Sequence, residues 1–183
     1  RRQRRAIARS AQSFRQGAAS GAGSIPVIVG FPHGPLDDHH ANSGSPSAIA
    51  YNSAAVLQDG RIIGIYNKHH LPNYSVFDEY RIFRAGSDAL VLHVAGADVA
   101  LAICEDIWQP GGSVSQLESE NLDLCLVLNG SPFEIDKDDK RQHLVRELAV
   151  NNTAAVAYVN LVGGQDDLVF DGDSLLVDAA GKL

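Results

Sequence analysis

Three stretches of this chain, ADVALAI (97–103), LDLCLVLN (122–129) and AAVAYVN (154–160), are apolar at nearly every position instead of alternating apolar with polar. A strand of that kind needs cover on both faces, which is the situation of strands in a sheet packed between other layers. Between the second and third stretches, DKDDKRQHLVRELAVNN (136–152) reads as a helix. Its acids fall in the first turns, and Leu144, Val145, Leu148 and Ala149 share one face. Strands separated by a helix of this length place the chain in the α/β class, or in mixed α+β if hairpins are inserted.

Hairpins are indeed written into the sequence. AYNSAAVLQ (50–58) and RIIGIYNK (61–68) flank Asp59-Gly60, a pair suited to a turn that needs positive φ at both positions. The second arm delivers Lys68 to a strand end. ALVLHV (89–94) and ADVALAI form a second hairpin that ends at Cys104, and IPVIVGF (25–31) reads as a buried strand. AAVAYVNLVGG (154–164) reads as one strand, and DSLLVDAAGKL (173–183) as the start of another hairpin.

The chain of 183 residues, 45% apolar and 20% charged, fits one soluble domain with a real core. A formal charge of −7 gives no general attraction to nucleic acid or anionic lipid. No apolar run approaches the roughly 20 residues that cross a bilayer. Cys104 and Cys125 both sit in apolar runs, which fits a reducing, cytoplasmic setting better than a disulfide scaffold. The opening RRQRRAIARSAQSF reads as the last turns of an amphipathic helix with Ala6, Ile7, Ala11 and Phe14 inward. A transit peptide is the weaker reading of those arginines. With no methionine anywhere, the chain is expected to be cut from something longer.

Phosphate-loop, serine-elbow and zinc-protease motifs are missing, as is a paired C-x-x-C. His33, Asp37, Asp38, His39 and His40 could be drawn as a metal site, but their spacing matches no ligand pattern and the loop reads as solvated. Gly163 to Asp167 (GGQDD) only half resembles a pyrophosphatase phosphate loop. What does recur is a chemically able residue where an apolar strand stops: Lys68, Cys104 and Ser131. Cysteine is the natural nucleophile of the set. Cys125 is the internal control, because Leu126, Val127 and Leu128 follow it within its strand, whereas Glu105 and Asp106 follow Cys104 at once.

YNKHHLPNYSVFDEYRIFRAG (66–86) and ICEDIWQP (103–110) resemble the lysine and cysteine motifs of the nitrilase, or carbon-nitrogen hydrolase, superfamily. Together with NGSPF and LVFDGDS they are similar to the glutaminase domains of glutamine-dependent NAD synthetases, from about Val27 to Leu183. The resemblance implies a four-layer αββα sandwich, here truncated at both ends, with the whole of 1–183 forming one partial glutamine amidohydrolase domain. It implies that Cys104 attacks the side-chain amide of glutamine and that Lys68, with the backbone N–H of Glu105, stabilises the oxyanion. Glu79 matches a glutamate that holds the lysine, although an ion pair with Arg81 or Arg84 is open to it. Tyr74, Ser131 and Lys137 match positions that bind the α-amino and α-carboxylate ends of glutamine. No metal or cofactor is implied in this domain. ATP and Mg2+ are implied for a following synthetase domain, where ammonia would amidate nicotinic acid adenine dinucleotide, and symmetric homo-oligomers are implied as well. The family's general-base glutamate has no counterpart, since no Glu precedes Glu79. The other readings are a free-standing amidase of the superfamily and a non-catalytic domain that has kept the fold.

Overall fold

The structure is a computed structural model in which residues 24–34, 50–117 and 120–183 are described. The opening helix, and Asp37, Asp38, His39 and His40 of the loop after His33, lie outside those residues. The chain divides into two compact units, one ending at Asp88 and one running from Ala89 to Leu183. Among the described residues both contain sheet and the second also contains helix, so the fold is mixed α/β.

Among the described residues the first unit is an antiparallel sheet in the order β1 (Val27–His33), β2 (Ala50–Gln58), β3 (Arg61–Asn67). Asp59 and Gly60 have φ of 50° and 71°, the double positive φ of the expected hairpin turn. A bulge opposite Val56 and Leu57 shifts the register, so that Val56 faces Gly64 and Leu57 faces Ile62. The short β4 (Phe83–Arg84) returns to pair parallel with the start of β2. β1 differs from expectation: it begins two residues late and runs on through His33, and among its side chains only that of Phe31 is buried. Among the described residues it pairs with β2 alone, and its buried Phe31 clusters with Ala55 and Leu57.

In the second unit the strand order is β11-β8-β7-β6-β5. β5 (Val91–Val94) and β6 (Ala97–Ile103) form the second hairpin, turned through Ala95 and Gly96 at φ of 53° and 83°. β6, β7 (Leu124–Asn129) and β8 (Ala155–Asn160) are the three apolar stretches, and they are mutually parallel, as continuous apolarity predicts. After β6 come a four-residue 3-10 turn (Cys104–Ile107) and a one-turn helix α1 (Gly112–Ser115). The longer helix α2 (Lys137–Asn152) connects β7 to β8 and packs on β8 and β11. Val145 and Ala149 are fully buried with Ala100, Ala102, Val127, Val156 and Tyr158, while Leu144 and Leu148 are partly buried at the edge of this core.

Two expectations are corrected here. The stretch 154–164 is two strands, because the chain leaves the large sheet at Leu161. There, among the described residues, β9 (Val162–Gln165) pairs only with β10 (Leu168–Asp171), which places GGQDD in a hairpin. The terminal segment pairs its β11 (Leu175–Val177) back onto β8 and then closes a turn in which Asp178 N–H donates to Lys182 O. Among the described residues no helix is long and apolar enough to cross a membrane.

Candidate active site

The chemistry-bearing residues collect at strand ends in each unit. In the first, Lys68 follows β3 directly, and its own N–H donates to Asn52 O at 2.8 Å, which continues the β2–β3 ladder by one more bond. The chain then makes a run of turns: Phe77 N–H donates to Tyr74 O, Glu79 N–H to Pro72 O, and the N–H groups of Ile82 and Phe83 both donate to Glu79 O. That coil carries Glu79 back to Lys68, whose Nζ donates to Glu79 Oε1 at 2.6 Å. Asn52 Nδ2 lies 3.4 Å from the other carboxylate oxygen.

The return path is sterically selective. Gly86 N–H donates to Lys68 O, and a Cβ at Gly86 would stand 2.2 Å from Asn67 O, so only glycine allows this approach. Lys68 is 1% exposed. An ammonium so deeply buried has to be paired, and the carboxylate of Glu79 supplies the opposite charge. Of the alternatives for Glu79, Arg81 is instead paired with Asp78 at 2.7 Å. Tyr74 belongs to the same turn-rich segment, 53% exposed, with its ring edge-on to Phe77.

The second unit holds Cys104, Glu105, Ser131 and Lys137. Cys104 terminates β6 with φ of 45°, a left-handed conformation for a residue with a Cβ. Such backbone costs about 1–3 kcal/mol and persists only where the surroundings impose it. Those surroundings are visible. The fully buried Asp106 accepts the N–H of Ile103 at 2.9 Å, Trp108 N–H donates to Glu105 O, and Gln109 Nε2 donates to Glu105 Oε1 at 2.7 Å. The two carboxylates after Cys104 thus fasten the turn that lifts the thiol out of the strand. Cys104 is half-buried and Cys125 is buried, and neither is in a disulfide. Burial, with the charge of Asp106 adding to it, pushes the Cys125 thiol up to about 12. Tyr158, on the neighbouring β8, is likewise pushed up to about 12 by burial first and by the ionisable Cys104 second.

Ser131 follows the end of β7 and is buried. Asn160 brackets it, accepting its N–H at 2.9 Å and donating to its carbonyl at 3.2 Å. Lys137 opens α2 with its Nζ 2.6 Å from Glu134, so its charge is engaged by a residue from the same turn. The residue that sequence reading missed is Arg141. It lies on the stripe 141-145-149 of α2 and is 0% exposed, with its guanidinium on Asp171, Asp138 and the Ser131–Pro132 carbonyls. Burial alone would lower its affinity for the proton, but the hydrogen bond to Asp171 and the surrounding negative charges raise it. That same hydrogen bond holds the Asp171 carboxyl below the usual carboxylate value. The signal was present in the i, i+4, i+8 spacing, where a charged residue occupies an apolar stripe. Among the described residues no cluster of side chains is suited to hold a metal ion.

Each unit thus carries a buried, paired cation beyond a strand end, Lys68 in the first and Arg141 in the second, and the second also holds a cysteine in a left-handed turn. Residues 17–183 match the family described as carbon-nitrogen hydrolase, and the chain belongs to that family. Within it, the chain is 48% identical over 157 residues to the glutamine-dependent NAD(+) synthetase of Aquifex aeolicus, covering 86% of this chain and 26% of that protein. The corresponding enzyme of Acinetobacter baylyi is 43% identical over 159 residues, 87% of this chain and 27% of its own. Among solved structures, the glutamine-dependent NAD+ synthetase of Acinetobacter baumannii superposes with a TM-score of 0.82 at 40% identity, over 93% of this chain and 30% of that one. An amidase from Nesterenkonia sp. AN1 gives a TM-score of 0.77 at 21% identity over 96% of this chain and 62% of its own, a likeness of fold. The chain spans about a quarter of the length of the curated relatives it matches.

Proposed function

We propose that this chain is the glutamine-hydrolysing part of a glutamine-dependent NAD synthetase. The observation that carries the reading is Cys104: a thiol on a left-handed turn at the end of a core strand, within a sequence that is nearly half identical to such an enzyme. The sulfur of Cys104 attacks the side-chain amide carbon of glutamine, forming a C–S bond and a tetrahedral oxyanion. Collapse of that intermediate breaks the C–N bond, and the nitrogen takes up a proton and leaves as ammonia. Water then cleaves the γ-glutamyl thioester, giving glutamate and the thiol again.

Lys68, paired with Glu79, and the backbone N–H of Glu105 supply the positive charge and the donor for the oxyanion. Each pre-placed donor of this kind contributes about 3–4 kcal/mol to lowering the barrier. Tyr74, Ser131 and Lys137 receive the amino-acid end of the substrate. The proton of Cys104 has to pass to a base, and within these residues no glutamate stands before Glu79. The 183-residue chain is therefore expected to be inactive on its own, and the ATP-dependent use of ammonia to lie outside it.

The test uses the full-length enzyme encoded with this segment. Cys104→Ala should abolish NAD formation from glutamine while sparing formation from added ammonia. Equal loss of both activities would make Cys104 a structural residue and remove the proposal.

A further inference from the structure

The turn that carries Ser131 is held from behind by a charge network that the proposed chemistry does not use. We propose that Arg141 is a positioning residue, its guanidinium braced by Asp171 so as to fix the Ser131–Pro132 turn for glutamine; this rests on the reading of Ser131 given above.

The geometry of the network is directional. Nη2 of Arg141 donates to Ser131 O at 3.3 Å and to Pro132 O at 3.1 Å, two successive carbonyls, and lies 3.4 Å from Ser131 Oγ. Nη1 faces both oxygens of Asp171, at 3.2 and 3.0 Å, and Asp138 at 3.3 Å, with Asp173 at 3.8 Å. Asp171 ends β10, and the same hairpin accepts Phe133 N–H at Val169 O. The turn at 131–133 is thus tied to α2 through Arg141, to the β9–β10 hairpin through Asp171 and Val169, and to β8 through Asn160.

An apolar side chain at this point of the stripe 141-145-149 would fill the core without any charge to desolvate, so packing does not explain the arginine. What a guanidinium adds is a rigid planar fork able to bond a carboxylate on one edge and two carbonyls on the other, which an ammonium cannot do. It also sets the polarity of Ser131. With a cationic donor beside Oγ, the hydroxyl hydrogen is directed away from Arg141.

The experiment compares Arg141→Lys and Asp171→Asn with the wild-type full-length enzyme. In both variants the KM for glutamine should rise about tenfold with kcat at saturation within about twofold, as expected when binding alone is weakened. The glutamine concentration that protects Cys104 from iodoacetamide should rise by the same factor. Alkylation without glutamine should be unchanged, because iodoacetamide lacks the amino-acid end that Ser131 receives. If Arg141→Lys does not fold, Asp171→Asn, which keeps the guanidinium and its packing, carries the test. Unchanged KM and unchanged protection with a lower melting temperature would reduce Arg141 to a structural ion pair, and a fall in kcat at constant KM would equally overturn the proposal. A wild-type enzyme that does not hydrolyse glutamine would refute the functional reading itself, whereas an active one whose KM ignores both substitutions refutes only the role of Arg141.

Discussion

Cys104 directly follows β6 and Cys125 lies in its parallel neighbour β7, five residue pairs connect those strands, and both thiols follow apolar residues; yet one is a reaction centre in the proposed chemistry and the other is core. Cys125 lies opposite Ala100 on the second of the five β6–β7 rungs and opposite Val156 on β8, in one buried core with Val127 and Tyr158. Cys104 lies just past the last rung, which pairs Ile103 with Leu128. There the backbone turns left-handed and the ladder gives way to a 3-10 turn pinned by Asp106. The contrast shows that the character of a thiol is decided by where the ladder ends and what fastens the turn beyond it, since the preceding residues are interchangeable.

The sharpest way to break this comparison is to remove each sulfur in turn from the full-length enzyme. Cys104→Ala should lower glutamine hydrolysis by at least about a thousandfold, the scale expected when a nucleophile is lost. Cys125→Ala should leave kcat within about threefold and cost about 1–2 kcal/mol of stability through the cavity it leaves. If alanine at 125 were the more damaging to catalysis, the assignment would be reversed.

Next in size is the buried ion pair of the first unit. Glu79→Gln leaves the Lys68 ammonium without its counter-charge and should destabilise the chain by about 3–5 kcal/mol in urea melts. Lys68→Met combined with Glu79→Gln should recover much of that stability without restoring hydrolysis. Recovery of activity in the double variant would show that the lysine only maintains structure.

Smaller again is the strain at Cys104. Because glycine enters the left-handed region freely, Cys104→Gly should be more stable than Cys104→Ala by about 0.5–1 kcal/mol. The same pair of substitutions at Cys125, where the backbone is that of an ordinary strand, should show the opposite order.

The last effect is alkaline. The Cys125 thiol is raised in the folded state to about 12, against 9.0 for an unperturbed thiol. Between those values the folded chain binds the proton more tightly than the unfolded chain, so the stabilisation is complete below about pH 9 and is lost as pH rises toward 12. The slope approaches about 1.4 kcal/mol per pH unit at its steepest. Cys125→Ala should flatten that part of the stability curve, and Cys104→Ala should leave the Cys125 contribution in place.

Much of this architecture was legible because local chemistry determines it. Asp59-Gly60 requires a turn with two positive φ values, and the apolar runs of β6, β7 and β8 mark three parallel neighbours in one sheet, although burial alternates along β7 and β8. Acids at the start of α2 and its 144-145-148-149 face require an amphipathic helix there. The break at Cys104 was legible too, since Glu105 and Asp106 cannot continue a buried strand. The limits of β1 and the division of 154–164 into two strands were not legible, because both depend on where a pairing partner stops, and that partner is distant in sequence.

What the sequence alone determined is therefore the set of strands, the turns, the helix and the residues standing at strand ends. Tertiary structure decided the rest: that Glu79 returns to Lys68 past a glycine no other residue could replace, that Asp106 reaches back to the β6 terminus, and that Arg141 is buried. The physical reason is that a charged side chain can enter a core only when its counter-charges and acceptors converge on it from elsewhere in the chain. Asp171 and the Ser131 carbonyl, 30 and 10 positions from Arg141, meet it only once β10 and the β7 turn are in place.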